Sequence, residues 1–148
     1  MKESAAISAR VLLIDTGPLV AYLDKADKHH KWAASVLPRL SGRLMTCEAC
    51  LAEALHLVAN SRRAVEALKA LVERMELAPV MGGDAEAVFS GIADFSPEMD
   101  LADGCLVTLS RRMRALVVTT DERDFAIYRV PFLSPRGLFA GDSYRVEG

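Results

Sequence analysis

Several features that define common classes of protein are missing from this chain. Its apolar runs fall short of the roughly 18 residues that a membrane-spanning helix needs, and the first ten residues, MKESAAISAR, lack the apolar centre of a signal peptide. Cysteine is scarce: there are three, an odd number that argues against a disulfide framework. The sequence therefore predicts a cytoplasmic protein with reduced thiols and no association with membranes.

The chain also lacks an excess of positive charge. It contains 18 Lys and Arg residues and 20 Asp and Glu residues, which gives a formal net charge of −2. A nucleic acid would have to be bound through a local basic patch or a metal ion rather than by the field of the whole protein. Linkers and low-complexity segments are missing as well. The 148 residues, 51% of them hydrophobic, therefore indicate one domain over 1–148, of which 1–10 form a loose arm.

Short apolar runs alternate with helical patterns along the chain. We expect helices near residues 18–24, 28–40, 47–60, 62–75, 84–94 and 98–113. Strands are expected near residues 11–14, 43–45, 77–80 and 116–119, with a further edge strand near 131–133. This alternation predicts an α/β domain with a mostly parallel sheet of four to five strands. Ligand sites are expected beyond the carboxyl ends of such strands.

Four acidic residues stand out because the sequence around them offers no counter-ion. Asp15 and Asp121 each follow an apolar strand, while Glu53 and Asp103 lie on helices among apolar neighbours, so we expect both helical acids to be partly buried. Residues 75–110 contain seven acids and no Lys or Arg. Each acid alone is explained as well by a cap or a turn. Together they favour a bound divalent cation, and oxygen ligands without Cys or His indicate Mg²⁺ or Mn²⁺.

Four segments around these acids resemble one family in their order and spacing: LLIDTGPLVAYLD, TCEACLAEALHLV, MDLADGCLVTLSRRM and VVTTDERDF. They are similar to PIN-domain ribonucleases, and in particular to VapC-type toxins of bacterial toxin–antitoxin pairs. The resemblance runs from about residue 11 to about residue 133. It implies a three-layer α/β/α domain that hydrolyses RNA with Mg²⁺ or Mn²⁺ and is inhibited by a cognate antitoxin. Apolar helix surface near 28–40 and 47–75, together with the habit of the family, predicts a homodimer.

The resemblance also implies which residues form the site. The acids that would bind the metal and carry catalysis are Asp15, Glu53, Asp103 and Asp121. Supporting roles fall to four further residues: Thr16, Asp100, Thr120 and Asp124. Basic residues near 25–31, near 111–114 and at Arg123 are candidates for contacts with the RNA backbone.

Two other interpretations remain open from the sequence. Cys47 and Cys50 form a C-x-x-C motif that follows a short strand and opens a helix, which is the context of a thioredoxin-like redox site. Against this, Glu48 between them would raise the pKa of thiols that redox catalysis needs lowered, and the acids would stay unexplained. The second alternative is a PIN-like domain that binds partners without cleaving RNA, which the complete set of four acids argues against.

Overall fold

A six-stranded sheet forms the centre of the part of the chain that the computed structural model describes, residues 7–140. Its strands are β1 (Ile7–Ile14), β2 (Leu40–Cys47), β3 (Glu76–Ala78), β4 (Leu116–Val118), β5 (Phe132–Ser134) and β6 (Gly137–Phe139). They lie in the order β3-β2-β1-β4-β5-β6, with every neighbouring pair parallel except the antiparallel β5 and β6. The predicted α/β class with a mostly parallel sheet is confirmed. The sheet has one strand more than the predicted four to five, because β6 has only three residues, too few to show an alternating pattern.

Helices cover both faces of this sheet. They are α1 (Thr16–Leu23), α2 (His30–Val36), α3 (Glu48–Val58), α4 (Arg62–Val72), α5 (Met81–Asp94), α6 (Leu101–Met113) and α7 (Glu122–Tyr128). Successive β1 side chains point to opposite faces, so Val11 and Leu13 lie in one buried cluster and Leu12 and Ile14 in the other. Side chains of α5, α6 and α7 pack in the first cluster, and side chains of α1 to α4 pack in the second. The domain is therefore a three-layer α/β/α structure.

The amino-terminal strand is longer than predicted. Because β1 begins at Ile7, the prediction of a loose arm over 1–10 is wrong for its last four residues, and residues 1–6 lie outside the described part of the chain. The pairing of β1 with β2 is irregular between Ser8 and Val11. This irregularity and the polar segment around it hide the start of the strand from an apolar pattern.

All six predicted helices are present, but two details differ. The helix predicted over 28–40 ends at Val36 and continues as a 3₁₀ turn that contains Pro38. The short helix α7 was not predicted, because its first turn is charged and seven residues hold too few apolar positions to show a period. None of the helices in residues 7–140 has the length and hydropathy that crossing a bilayer requires.

Candidate metal-binding site

The parallel topology brings the carboxyl ends of β1 and β4 together. Asp15 follows β1 and caps α1, with its Oδ1 accepting the amide hydrogen of Thr16 at 2.8 Å. Asp121 lies just beyond β4 and caps α7, with its Oδ1 accepting the amide hydrogen of Asp124 at 3.2 Å. Since β1 and β4 are neighbours in the sheet, the two predicted strand-end acids lie at the same edge.

Helix α6 points its first turn at this edge. Asp100 caps the helix and accepts the amide hydrogen of Asp103 at 2.8 Å. Asp103 is buried, with 8% of its surface exposed, and its Oδ2 accepts a hydrogen bond from the Tyr128 hydroxyl at 2.7 Å. Tyr128 is a buried residue of α7 that the sequence analysis did not identify. It fixes the orientation of one carboxylate of the site.

Three carboxylates converge at this edge. Asp103, Asp121 and Asp124 each offer an oxygen, and these three oxygens lie within 4.8 Å of one another. Among the ion pairs between residues 7–140, none joins a Lys or Arg to any of the three. The predicted metal ligands are Asp15, Glu53, Asp103 and Asp121, and Asp124 is a predicted supporting acid. In the structure Asp124 belongs to the central group, while Asp15 lies beside it and Glu53 at its border.

Glu53 is exposed as a whole residue, so the expectation that it is partly buried holds only for its carboxyl group, which is partly desolvated. The inward face of α3 is formed by Cys50, Ala54 and Val58, which leaves Glu53 on the side of the helix that borders the site. The Thr16 hydroxyl lies 3.2 Å from Glu53 Oε2 and 3.1 Å from the Cys50 carbonyl oxygen. Desolvation of the carboxyl group, followed by the charge of nearby Asp100, raises the pKa of Glu53. Of the predicted supporting residues, Thr16 contacts Glu53 directly, and the charge of Asp100 raises its pKa.

The residue that connects the two strand-end acids is Thr119, which the sequence analysis missed. Its buried hydroxyl donates to Asp15 Oδ2 at 2.7 Å and accepts the amide hydrogen of Asp121 at 2.9 Å. The predicted supporting residue was Thr120, whose hydroxyl instead lies against Gly17, where a Cβ would come within 2.1 Å of it. The strand predicted over 116–119 ends at Val118, so Thr119 takes the first position beyond it. Asp15 is likewise the first residue after its strand, and Ile14 pairs with Val118. A parallel alignment of the two strands would therefore have indicated Thr119.

Burial shifts the proton affinity of the two most enclosed acids. Desolvation raises the pKa of Asp103 to about 8, although the hydrogen bond from Tyr128 opposes the shift. Desolvation also raises the pKa of Asp15 to about 6, against the hydrogen bonds from Thr119 and Thr16. The charges of neighbouring acids add to both shifts. A cation at this edge would favour the ionised forms.

These shifts predict how the stability of the metal-free protein depends on pH. For Asp103 the folded-state pKa of about 8 lies above the ordinary value of 3.8 for an aspartate side chain. The folded state therefore binds more protons between these values, and its stabilising contribution is full below the lower value and lost as pH rises through the upper one. We expect the free energy of unfolding in chelator to fall from about pH 5 to about pH 8, and to fall less for Asp103→Asn. Denaturant titrations at several pH values test this, and parallel curves for the two proteins would contradict it.

The Thr119 hydroxyl should contribute measurably to stability. In Thr119→Val, Asp15 Oδ2 and the Asp121 amide lose their shared partner, so we expect the free energy of unfolding to fall by about 1–3 kcal/mol. Thr120→Val is the matched control, because it makes the same chemical change at the next position and leaves both hydrogen bonds in place. Denaturant unfolding measures the two variants. An equal loss in both would show that the bridge contributes nothing specific.

Comparison with known proteins identifies the family. A family model of the PIN domain matches residues 12–133. The chain belongs to the PIN-domain family. This confirms the resemblance found in the sequence and decides against a thioredoxin-like interpretation of Cys47 and Cys50. Comparison with curated proteins gives no match.

Solved structures share the fold of this PIN domain. VapC20 of Mycobacterium tuberculosis, a sarcin-ricin loop cleaving toxin, superposes with a TM-score of 0.70 at 17% identity, over 78% of this chain and 94% of that one. A toxin–antitoxin complex from Klebsiella pneumoniae superposes with a TM-score of 0.62 at 14% identity, over 78% of this chain and 90% of that one. VapBC2 of Rickettsia felis, bound to a promoter DNA fragment, superposes with a TM-score of 0.61 at 14% identity, over 79% of this chain and 92% of that one. At these identities the similarity shows a common fold.

Proposed function

We propose that this PIN-domain protein is a cytoplasmic, Mg²⁺- or Mn²⁺-dependent ribonuclease and the toxin of a toxin–antitoxin pair. The observation that carries the proposal is the convergence of Asp103, Asp121 and Asp124, none of which forms an ion pair with a Lys or Arg among the described residues. Such acids repel one another when they are ionised, and a cation between them would offset that repulsion. The RNA substrate is supported by the family, and by the fold shared with a toxin described as cleaving the sarcin-ricin loop.

The donor atoms fit a hard divalent cation. All three converging ligands are carboxylate oxygens, which suit Mg²⁺ and Mn²⁺ and not the softer metals that prefer thiolate or imidazole. When bound, such an ion polarises a phosphoryl oxygen and lowers the pKa of a bound water. Asp103, Asp121 and Asp124 would hold it, and Asp15 and Glu53 would add negative charge beside it. Tyr128 keeps Asp103 in place, and Thr119 does the same for Asp15.

Basic side chains next to the acids offer a place for the RNA backbone. A surface hollow beside Asp121 is also lined by His29, Arg123 and Arg136, the last of which pairs with Glu122 at 3.4 Å. Positive charge at this position would bind phosphates that flank the scissile bond, while the acids face the reacting one. Arg123 is among the bases predicted for this role. We therefore propose this hollow as part of the path of the RNA.

Other bases predicted near 111–114 have structural partners. Arg111 donates to the Tyr128 carbonyl oxygen at 3.2 Å, which ties α6 to the end of α7. Arg112 forms an ion pair with Asp84. These two contacts give the bases at the end of α6 structural roles. We therefore place the proposed RNA path at Arg123 and not at the end of α6.

An RNA cleavage assay tests the proposed activity. We expect the purified protein to cut single-stranded RNA in Mg²⁺ or Mn²⁺ and to stop in excess chelator. Readdition of the cation should restore cutting. Cleavage that continues undiminished in chelator would refute the metal site, and intact RNA under all cation conditions would refute the nuclease.

We also propose that the protein is a homodimer that buries the outer face of α3. Leu57 is 61% exposed on this helix, which leaves a large apolar side chain in contact with water. Light scattering should give a mass near twice 16.1 kDa for the wild type. Leu57→Lys places a charge on this face and should shift the protein toward the monomer. A mass of 16.1 kDa for the wild type at all concentrations would contradict the proposal.

A further inference from the structure

Three buried thiols lie directly behind the acidic site and have no part in the proposed reaction. Cys47, Cys50 and Cys105 are 1%, 0% and 2% exposed, and all three are free. Cys47 is the last residue of β2, Cys50 lies on the first turn of α3, and Cys105 lies on α6. The Cys47 and Cys50 sulfur atoms are 3.5 Å apart. The C-x-x-C motif of the sequence is therefore a close pair of thiols in the structure.

Cys50 is connected to the acidic site through both its side chain and its backbone. Its Sγ lies 3.8 Å from Asp15 Oδ1, within the distance of a weak S–H···O hydrogen bond. Its carbonyl oxygen accepts from the Thr16 hydroxyl, which also contacts Glu53. A displacement of Cys50 would therefore change the surroundings of two acids of the site.

Cys47, the other member of the pair, lies at the wall of a surface hollow. A surface hollow of about 380 Å³ lies between the starts of α3, α5 and α6, and Cys47 and Cys105 contribute to its wall. Leu101 at its rim is 45% exposed, so the hollow opens to water. A molecule the size of hydrogen peroxide fits this space. A hydrogen bond from the Cys105 thiol also lowers the pKa of Cys47, which favours the thiolate that reacts with oxidants.

The positions of Cys47 and Cys50 suit a disulfide. Cys47 is the N-cap of α3 and Cys50 lies in its first turn, and this arrangement brings their sulfur atoms together at the start of the helix. The sulfur atoms must approach from 3.5 Å to about 2.0 Å. The Cys50 sulfur would then belong to the S–S bond, so it would have no S–H to donate to Asp15 Oδ1.

We propose that Cys47 and Cys50 are a modification site for hydrogen peroxide, and that the disulfide formed there weakens the acidic site. Peroxide oxidises the Cys47 thiol to a sulfenic acid and releases one water. The Cys50 sulfur then attacks the sulfenic sulfur, which forms the S–S bond and releases the hydroxyl group with the Cys50 proton as a second water. In total, two thiols and one peroxide give one disulfide and two waters. The effect on activity rests on the proposed ribonuclease function, whereas the disulfide itself does not.

Mass spectrometry and metal titration of the whole purified protein test this site. After peroxide treatment we expect the mass to fall by two hydrogens, and peptide mapping after alkylation to show Cys47 joined to Cys50 with Cys105 alkylated. Calorimetric titration with Mg²⁺ should show affinity lowered by about tenfold or more, the typical effect of disturbing a group that supports metal ligands. RNA cleavage should fall in parallel, and dithiothreitol should restore both.

Two cysteine variants serve as matched controls. Cys47→Ser removes the reacting thiol and should keep its Mg²⁺ affinity and cleavage after peroxide treatment. Cys105→Ser should still form the disulfide and respond like the wild type. Oxidation of methionine is not reversed by dithiothreitol, so recovery on reduction assigns the effect to the thiols.

Three outcomes would overturn the proposal: no disulfide, a disulfide to Cys105, or a Cys47–Cys50 disulfide that leaves Mg²⁺ affinity unchanged. If the reduced protein binds Mg²⁺ but does not cut RNA, the proposed ribonuclease function fails. The mass and the Mg²⁺ titration still decide the modification site in that case.

Discussion

Replacing Asp121 with Asn is expected to reduce Mg²⁺-dependent RNA cleavage by about 100-fold or more, because a catalytic metal ion supplies several kcal/mol of transition-state stabilisation. The substitution removes one charge from the three converging carboxylates. It keeps an oxygen that can accept the Asp124 amide hydrogen, so the cap of α7 is retained. The domain should therefore stay folded while its metal affinity falls. RNA cleavage rates, Mg²⁺ titration and thermal unfolding of the same preparation measure these three expectations.

Glu122→Gln is the matched control for this variant. Glu122 is the next residue, lies in the same first turn of α7, and loses the same charge on substitution, but it pairs with Arg136 at 3.4 Å. We expect it to retain most of the activity. If both variants lose activity equally, the general charge of this surface matters rather than ligation, and if Asp121→Asn stays fully active, Asp121 is not a ligand.

Asp121→Asn should also raise the free energy of unfolding of the metal-free protein. The charge of Asp121 contributes to the raised pKa values of Asp15 and Asp103, which reflects repulsion among these acids. Neutralising it removes part of that repulsion. A variant that is more stable yet less active would distinguish a metal ligand from a residue that maintains the fold.

The strand-end acids could be predicted because their positions depend on local pattern and topology alone. Asp15 follows a short apolar run, Asp121 lies at the end of another, and parallel strands that are neighbours place their carboxyl ends at one edge. Asp124 could have been ranked higher if α7 had been predicted. It lies three residues after Asp121, and this spacing places both side chains on one face of a helix.

The partners of these acids could not be predicted, because they depend on distant packing. Tyr128 reaches Asp103 across 25 positions of the chain, and nothing in the sequence around either residue indicates that contact. Glu53 shows the opposite problem. Its Ala and Leu neighbours suggest a helix buried on all sides, yet α3 buries one face and leaves Leu57 in water. The apolar composition of α3 predicts that the helix packs against the sheet, but it does not predict which of its faces is buried.

Production of this chain in a bacterial host is expected to arrest growth and degrade RNA, and co-production of a cognate antitoxin is expected to relieve both. The antitoxin to test is the product of the reading frame that adjoins its gene. An Arg side chain is the group that best fits the acidic edge, because its guanidinium can pair with two carboxylate oxygens at once. Asp103, Asp121 and Asp124 have no such partner among the described residues. The Arg would occupy the place of the cation, so the antitoxin and Mg²⁺ should compete for the site.

Asp121→Asn separates toxicity by RNA cleavage from a nonspecific burden of expression. The variant should be harmless at the same protein level, since it lacks a metal ligand but keeps its fold. Raising Mg²⁺ should weaken binding of the antitoxin to the wild type, and replacing the inserted Arg of the antitoxin with Ala should abolish that competition. Harmless expression of a protein that cuts RNA in the test tube, without a copurifying partner, would refute the toxin role. It would leave the metal-dependent ribonuclease intact, because cleavage depends on the acids and not on the partner.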